Sequence, residues 1–310
     1  MGIARNILLA ASKSDALNHF ATNRAFVKRA MKKFMPGEAP EDALNAAQAL
    51  AKDGRGTILT KLGENITRPE EAQAVRDHYF GIYDLIKARA IPGAVVSVKP
   101  TQLGLDLSQE ACAAHLEALA AKAAATGSFL WIDMEDSSYV DRTIALYATL
   151  KAKHACTGLA MQAYLRRTPA DLEKLMPLKP VIRLVKGAYA EPAHVAFPAK
   201  RDTDLAFFDT SVRMLESAAK GQCLPILGTH DVELLARIIA RAKEIGVADD
   251  KYEIHMLYGI RDADQQRLRR EGRVVKTLVS YGNAWYRWYM RRLAERPANV
   301  WFVMRSMLAG

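Results

Sequence analysis

Two adjacent arginines near the end of the chain, Arg291 and Arg292, are the residues whose type and spacing most directly indicate chemistry. The run that contains them follows Gly282 and meets no helix breaker before Pro297, so it predicts a helix. On that helix, Arg292 shares a face with aromatic side chains at three- and four-residue spacing: Trp285, Trp288 and Tyr289. Two neighbouring guanidinium groups can converge on one anion, such as a carboxylate. An aromatic packing stripe whose arginines extend into water is the alternative.

Further polar residues follow short apolar runs, at the points where strands would end. They form the motifs T-K-L-G-E at 60–64, V-K-P-T-Q-L-G at 98–104, I-D-M-E-D at 132–136, M-Q-A-Y at 161–164, R-L-V-K-G-A-Y at 183–189, G-T-H-D at 228–231 and H-M-L-Y-G at 255–259. If the strands are parallel, their carboxyl ends meet at one edge. These side chains would then face a common active-site mouth.

The elements that must position these residues are eight apolar runs that alternate with helical patterns. The predicted strands are residues 57–62, 94–98, 129–132, 158–163, 181–185, 225–228, 252–256 and 274–279, and the predicted helices between them are 70–90, 108–125, 137–153, 169–175, 204–219, 232–245 and 263–269. Near-continuous apolar strands indicate burial on both faces, hence a parallel sheet with helical crossovers. Eight such units favour a (β/α)₈ TIM barrel over an open sheet. No G-x-G-x-x-G follows the first strand, which disfavours the usual dinucleotide fold.

The stretch before the first strand has a different pattern. Residues 7–51 predict helices, with an amphipathic run at 23–31 and a break at Pro36-Gly37. No linker or short-period repeat divides the rest of the chain. We therefore expect a single domain over residues 1–310, with an N-terminal helical arm over residues 1–53 and the barrel over residues 54–310.

The composition is that of an ordinary soluble protein, with 310 residues, 50% hydrophobic and 25% charged. The formal net charge of +10 comes from scattered lysines and arginines, so we expect no nucleic-acid partner. Three isolated cysteines, Cys112, Cys156 and Cys223, argue against a disulfide framework and against a zinc site, so no metal ligand is assigned. The apolar run at the N-terminus is too short for a secretion signal or a membrane span, which predicts a cytoplasmic protein.

Four motifs, in the same order along the chain, resemble the proline dehydrogenase family. They are V-K-P-T-Q-L-G at 98–104, I-D-M-E-D at 132–136, I-R-L-V-K-G-A-Y at 182–189 and Y-M-R-R-L-A-E-R-P-A-N at 289–299. The resemblance covers the chain from about Gly54 to its end and implies a distorted (β/α)₈ barrel that binds FAD. It further implies oxidation of L-proline to 1-pyrroline-5-carboxylate by hydride transfer to flavin N5. Electrons would pass to a quinone at the inner-membrane surface, and a separate pyrroline-5-carboxylate dehydrogenase would be the partner.

The resemblance also implies roles for residues around the substrate. Lys99, Arg291 and Arg292 would hold the carboxylate, and their charge would favour the neutral amine from which a hydride can leave. Asp133 matches an acidic residue whose expected role is to orient Lys99 and the substrate. An ion pair that stabilises the barrel mouth is the structural alternative for Asp133. Three further residues match positions that flank or line the pocket around the ring: Tyr189, Leu257 and Leu278.

A second group of residues matches positions around the cofactor. Arg183 matches the arginine that faces flavin N5, where a cation stabilises the flavin after it has accepted a hydride. The other expected FAD-binding residues are Met134, Gln162, Lys186, Gly187, Ala188, Thr229 and His230. For His230 we expect contact with the cofactor and no acid–base role.

The last predicted strand departs from the family pattern. Where family members carry R-x-Y-x-P-Y-G, this chain has K-T-L-V-S-Y-G at 276–282, so Leu278 replaces a pocket-lining tyrosine and Ser280 replaces a proline. Pro100 and His255 are smaller departures. A differently shaped pocket predicts 4-hydroxyproline, an N-alkyl proline or another cyclic amino acid as the alternative substrate. A barrel without catalysis, acting as a binding module, is the alternative from another functional class.

Overall fold

A computed structural model of the chain describes residues 31–63 and 66–286. The predicted anion-binding pair, Arg291 and Arg292, lies outside these residues. The division into an arm over residues 1–53 and a barrel over residues 54–310 stays a prediction.

Eight parallel strands close into a barrel in chain order, and β8 pairs with β1 to complete it. The strands are β1 Gly56–Lys61, β2 Ala94–Val98, β3 Leu130–Ile132, β4 Thr157–Gln162, β5 Val181–Val185, β6 Leu224–Gly228, β7 Glu253–Leu257 and β8 Val274–Tyr281. The predicted (β/α)₈ barrel is therefore confirmed, and its strands fall within two residues of the predicted bounds at each end.

Helices surround the barrel. They are α1 Pro40–Ala51, α2 Pro69–Ala88, α3 Gln109–Ala125, α4 Val140–Lys153, α5 Thr168–Leu175, α6 Lys200–Ala219, α7 Val232–Ile245 and α8 Asp262–Arg270. Helices α2 to α8 each follow a strand, whereas α1 precedes the barrel and packs against β1 and β8. Helix α1 thus covers the seam where the first and last strands meet.

Two helix starts differ from the sequence prediction. Residues 137–139 form a short 3₁₀ turn before α4, because the Asp136 side chain accepts a hydrogen bond from Ser138 N (3.0 Å) and turns the chain there. Helix α6 begins at Lys200, four residues before the predicted start at Asp204. Asp202 then lies in the first turn, where a carboxylate interacts favourably with the helix dipole.

Alternate residues of each strand face either the barrel axis or the helices. The interior contains a cluster of Ile58, Val95, Trp131, Val181 and Ile226, and a larger apolar core lies between the strands and the surrounding helices. Strands β2 and β4 are buried along their whole length because both of their faces are covered. The apolar interior supports a polar upper layer at the carboxyl ends of the strands.

Candidate active site

A cavity of about 420 Å³ opens at the carboxyl ends of the strands. Every predicted site residue within the described part of the chain lines it: Lys99, Asp133, Met134, Gln162, Arg183, Lys186, Gly187, Ala188, Tyr189, Thr229, His230, Leu257 and Leu278. A second cavity, of about 630 Å³, lies on the outer surface between α7 and α8. It is far from the motif residues at the strand ends, so the barrel mouth is the candidate site.

Asp133, the first residue after β3, is the centre of a charged network in this cavity. Its carboxylate forms an ion pair with Arg183 and accepts a hydrogen bond from Ser97 Oγ (2.8 Å). The Lys99 ammonium lies 3.9 Å from its other oxygen. Residues of β2, β3 and β5 therefore converge on one carboxylate, which fixes two cations at the mouth of the barrel.

Arg183 lies at the floor of the cavity and is only 3% exposed. Its guanidinium group stacks over the Trp131 ring, with Cζ 4.8 Å from the ring centroid. Burial lowers the pKa of Arg183, and the Asp133 carboxylate opposes this shift, so the group stays charged. Nη2 is bound to Asp133 and to Ser97 Oγ (3.1 Å), whereas Nη1 is buried without a hydrogen-bond partner in the described part of the chain.

The wall beyond Arg183 is built from β4 and from the loop after β5. Gln162 Nε2 donates to the backbone carbonyls of Met134 (3.3 Å) and Glu135 (2.9 Å), which leaves its buried Oε1 without a partner among the described residues. Gly187 has a φ of +123°, and a Cβ there would lie 2.2 Å from the ring of Tyr164. Only glycine fits this position, and its missing side chain leaves the wall flat.

Lys186 lies at the outer end of the same wall. Its ammonium forms ion pairs with Asp204 and with Asp231 (2.8 Å), and Lys200 contacts both of these carboxylates. Burial raises the pKa of Asp231, but the hydrogen bonds from Lys186 and Leu234 N together with the nearby lysine charges outweigh this effect, so its pKa is below the ordinary value. Asp231 also caps α7. The capped helix thus holds Lys186 at the cavity.

His230 connects the ends of β6 and β7. Its Nε2 accepts a hydrogen bond from Leu257 N (2.8 Å), so the proton of the neutral ring is on Nδ1. Thr229 Oγ1 accepts from Asp231 N (3.2 Å). The imidazole nitrogen that accepts from the backbone N–H is occupied by this bond, and the absence of an acid–base role for His230 stays a prediction.

Comparisons with known proteins identify the family. The proline dehydrogenase family model matches residues 43–305. Proline dehydrogenase 1 of Bacillus subtilis (strain 168) is 35% identical over 309 residues, covering 98% of this chain and 99% of the relative. The proline dehydrogenase of Deinococcus radiodurans is 34% identical over 283 residues, covering 90% of each chain. The chain belongs to the proline dehydrogenase family.

Solved structures of larger proteins confirm the fold. Proline utilization A from Bdellovibrio bacteriovorus, inactivated by N-propargylglycine, superimposes with a TM-score of 0.80 at 21% identity. The match covers 93% of this chain and 38% of that one, so the present chain corresponds to a minor part of the larger protein. Family membership makes this protein an oxidoreductase that acts on proline, and proline dehydrogenases are flavin-dependent as a family. No helix among the described residues is long and apolar enough to cross a membrane.

The lining of the cavity carries polar atoms and a flat wall that suit a flavin. The buried atoms on its lining that lack a partner within the described chain include a donor, Arg183 Nη1, and an acceptor, Gln162 Oε1. The edge of an isoalloxazine ring carries both acceptors and an N–H donor, and the flat wall at Gly187 leaves room for a planar ring. The lining therefore fits a flavin. Within residues 31–63 and 66–286, no group of His, Cys, Asp and Glu side chains could hold a metal ion.

Several residues of the site were not predicted from the motifs. Ser97 lies on β2, two residues before the predicted Lys99, and Trp131 lies on β3, two residues before the predicted Asp133; Lys99 and Asp133 directly follow these strands. Because alternate residues of a strand share a face, period-two spacing could have placed both in the barrel interior. Both residues contact Arg183, which lies three strands from Ser97 and two strands from Trp131. These contacts depend on the tilt of the strands in the barrel, and the spacing of residues in the sequence does not predict that tilt.

His255, noted in the sequence only as a departure from the family pattern, is buried below Arg183. Its Nε2 pairs with Glu253 (2.8 Å), which also binds Lys276 (2.9 Å), and its ring meets the edge of Trp131. Burial lowers the pKa of His255 to about 4, although Glu253 opposes the shift and the Lys276 and Arg183 charges add to it. His255 is therefore neutral near pH 7 and donates from Nε2 to the carboxylate.

The burial of His255 predicts that the folded protein is less stable in acid. The unfolded chain binds a proton at His255 near its ordinary pKa of 6.5, but the folded chain does so only near 4, so stability falls as pH drops between these values. Between pH 7.5 and pH 5.5, the free energy of unfolding of the wild type should fall by about 1 kcal/mol more than that of H255Q. Urea unfolding at the two pH values measures this. The pKa of His78 is also lowered to about 4, but His78 is present in both proteins, so its contribution cancels in the difference between their unfolding free energies.

The loop after β5, which carries Gly187, Ala188 and Tyr189, is attached to the loop after β3 by Glu191. The Glu191 carboxylate accepts from Ser137 N (2.7 Å) and from Ser137 Oγ (2.6 Å). On its other side the loop pairs with the backbone of residues 164–166. Glu191 therefore holds one wall of the cavity from outside.

Removing this attachment should loosen the wall. In E191A, amides of residues 187–196 should exchange hydrogen faster, and the KM for substrate should rise several-fold with a smaller change in kcat, because the ion network at Asp133 is untouched. Hydrogen exchange followed by mass spectrometry, together with steady-state kinetics, measures both effects. E216A, at an exposed residue of α6, is the control; equal exchange in the two variants would contradict the role of Glu191.

Proposed function

We propose that this protein oxidises L-proline to 1-pyrroline-5-carboxylate with FAD as its cofactor. The observation that carries the proposal is the network in which Asp133 fixes Arg183 and Lys99 at the floor of the cavity. The substrate is a zwitterion, so its carboxylate needs a fixed cation and its ring needs an apolar wall. Lys99 offers the first, and Leu257 and Leu278 on the same cavity offer the second.

When bound, FAD supplies the two-electron acceptor, which takes a hydride at N5. We infer that Arg183 supports this step because a buried cation stabilises negative charge that develops beside it. Its buried Nη1, which has no partner within the described residues, is a donor that can do so. Gln162, Met134, Gly187 and Ala188 would hold the flavin, and Lys186, Thr229 and His230 would lie along the rest of the cofactor.

The substrate must present a neutral amine, because the nitrogen lone pair drives the hydride from the adjacent ring carbon. The Lys99 charge near the substrate lowers the pKa of the amine, which favours loss of its proton to water. Arg291 and Arg292, outside the described residues, are proposed to complete the carboxylate site. Asp133 is proposed to orient Lys99 and Arg183 and not to abstract a proton, since both of its oxygens already face cations.

Two further features belong to the proposal. A quinone at the inner-membrane surface would reoxidise the flavin, and the product would pass to a separate pyrroline-5-carboxylate dehydrogenase. A cytoplasmic enzyme that associates with the membrane surface could reach both the quinone and the separate dehydrogenase. The net charge of +10 favours approach to an anionic membrane surface.

Anaerobic titration tests the proposal. Purified protein loaded with FAD should be yellow, and L-proline should bleach its absorbance in the absence of oxygen. Mass spectrometry should detect a product lighter than proline by two hydrogen atoms. Protein that cannot be loaded with FAD would instead favour a non-catalytic barrel that acts as a binding module.

A second candidate substrate class follows from Leu278. Leu278 lines the cavity where family members carry a tyrosine, so the pocket lacks an aromatic ring and a hydroxyl there. The same chemistry on 4-hydroxyproline or an N-alkyl proline is the alternative. Comparison of kcat/KM among these substrates and L-proline distinguishes them.

A further inference from the structure

Two buried hydroxyl groups lie side by side on the cavity wall formed by β8 and β1. Thr60 and Ser280 are register partners on these adjacent parallel strands, and both line the cavity. They are 3% and 2% exposed, respectively. Neither Thr60 Oγ1 nor Ser280 Oγ accepts a hydrogen bond within residues 31–63 and 66–286.

The surrounding groups supply no donor to either oxygen of this pair. The Thr60 hydroxyl can donate to the Tyr79 oxygen, which also accepts from Lys61 N (2.9 Å), but the single hydrogen of the Tyr79 hydroxyl is donated to Ser97 O (3.1 Å). The lone pairs of Thr60 Oγ1 therefore receive no hydrogen from Tyr79. A buried hydroxyl oxygen that accepts no hydrogen bond is unfavourable, so two of them at one place on a cavity wall indicate a ligand group that completes their hydrogen bonds.

The chemistry of that group follows from its neighbours. Leu278 precedes Ser280 by two residues on the same face of β8, and Leu257 and Leu62 line the same cavity, so apolar side chains lie near the pair on a cavity that also carries Lys99 and Asp133. Each hydroxyl can donate one hydrogen bond and can also accept. A neutral hydroxyl on an otherwise apolar ring matches both properties. A methyl or larger alkyl substituent would leave the pair unsatisfied.

We propose that Thr60 and Ser280 form a subsite for a hydroxyl group on the ring of a cyclic imino acid, which makes hydroxylated prolines the preferred substrates. The inference rests on the proposed function, since the same carbon–nitrogen bond of the ring would be oxidised as in L-proline. A hydride leaves the ring carbon beside nitrogen for the flavin, the nitrogen loses its proton, and a carbon–nitrogen double bond forms. The substrate hydroxyl is bound and is not transformed.

The test compares substrates in the anaerobic half-reaction of the FAD-loaded full-length protein. The rate constant and half-saturation concentration for flavin bleaching are measured with L-proline, trans-4-hydroxy-L-proline, cis-4-hydroxy-L-proline and trans-3-hydroxy-L-proline. In the wild type, at least one hydroxylated substrate should exceed L-proline in specificity constant. That preference should fall about tenfold in S280A and in T60V, because a site that binds a substrate hydroxyl discriminates strongly through it.

Matched variants separate binding from folding. Thr57 lies on the same strand, is equally buried and has an unpartnered Oγ1, but it does not line the cavity, so T57V should leave the preference unchanged. T60S keeps the hydroxyl and should retain the preference. A general structural defect would lower the rates for all substrates together and would leave their ratio constant. If S280A does not fold, the pair T60V and T60S decides the result.

Each outcome has a distinct meaning. A preference that is lost in T60V and S280A but kept in T57V and T60S supports the subsite. A wild type that favours L-proline, or ratios that are equal in all variants, would overturn the subsite and leave the proposed function standing. Failure of every imino acid to bleach the flavin of the wild type would overturn the proposed function, and with it this inference.

Discussion

Replacement of Arg183 by methionine is expected to lower kcat/KM for proline on the order of 1000-fold, because a buried cation beside the developing negative charge would be lost. The reduction potential of bound FAD should become more negative for the same reason. Stopped-flow kinetics and a spectroelectrochemical titration measure the two effects. R237M is the matched control, since Arg237 also stacks on an aromatic ring, Phe208 at 4.9 Å, but does not line the cavity.

The double variant R183M/D133N separates catalysis from stability. R183M alone leaves the mostly buried Asp133 carboxylate with only the more distant Lys99 (3.9 Å) as an ion-pair partner, which should cost about 3 kcal/mol of unfolding free energy. The second change removes the uncompensated charge and should restore most of that free energy without restoring activity. If R183M kept kcat/KM within a few-fold of the wild type, the proposed role of Arg183 would be wrong.

Replacement of Gly187 by alanine is expected to abolish FAD binding. The φ of +123° at Gly187 is strained for any side chain, and the added Cβ would lie 2.2 Å from the Tyr164 ring. Gly187 and its neighbour Ala188 both line the cavity, so the backbone shift that separates the added Cβ from the Tyr164 ring must move the cavity wall that is proposed to hold FAD. The FAD content of purified G187A, measured by absorbance, should fall to a small fraction of the wild-type value.

Gly127 provides the control for backbone strain. Its φ is +67°, and a Cβ added there would meet no atom within 4 Å. G127A should therefore lose about 1 kcal/mol of stability and keep its flavin. A yellow G187A protein with wild-type FAD content would show that the loop after β5 does not form the cofactor wall.

The sequence was sufficient for the architecture because the signals for it are local. Apolar runs and helical periodicity located all eight strands, and the alternation of strands with helices favoured a barrel over an open sheet. Local hydrogen bonds decided the details that were missed. The Asp136 side chain, for example, turns residues 137–139 into a separate 3₁₀ segment.

The candidate site could be predicted only in part. Thirteen predicted residues, twelve from the strand-end motifs and Leu278 from the last strand, line the cavity, but the resemblance to a family, and not their spacing, assigned their roles. Ser97 and Trp131 reach Arg183 across the barrel, and Thr60 meets Ser280 only because β8 closes onto β1. These contacts join residues far apart in the chain and depend on strand tilt and register, which no local pattern contains.

The two ends of the described chain are in direct contact, and this constrains how the protein can be shortened. The buried Trp285 indole N–H donates to Glu38 (2.9 Å), and a Cβ at Gly259 would lie 1.6 Å from the carbonyl oxygen of Lys33. Trp285 precedes Arg291 by six residues. A truncated protein that begins at β1 would keep every cavity-lining residue yet lose the support of Trp285. We therefore expect deletion of the residues before β1 to weaken substrate binding, because it removes a contact of Trp285, which precedes the proposed carboxylate-binding Arg291.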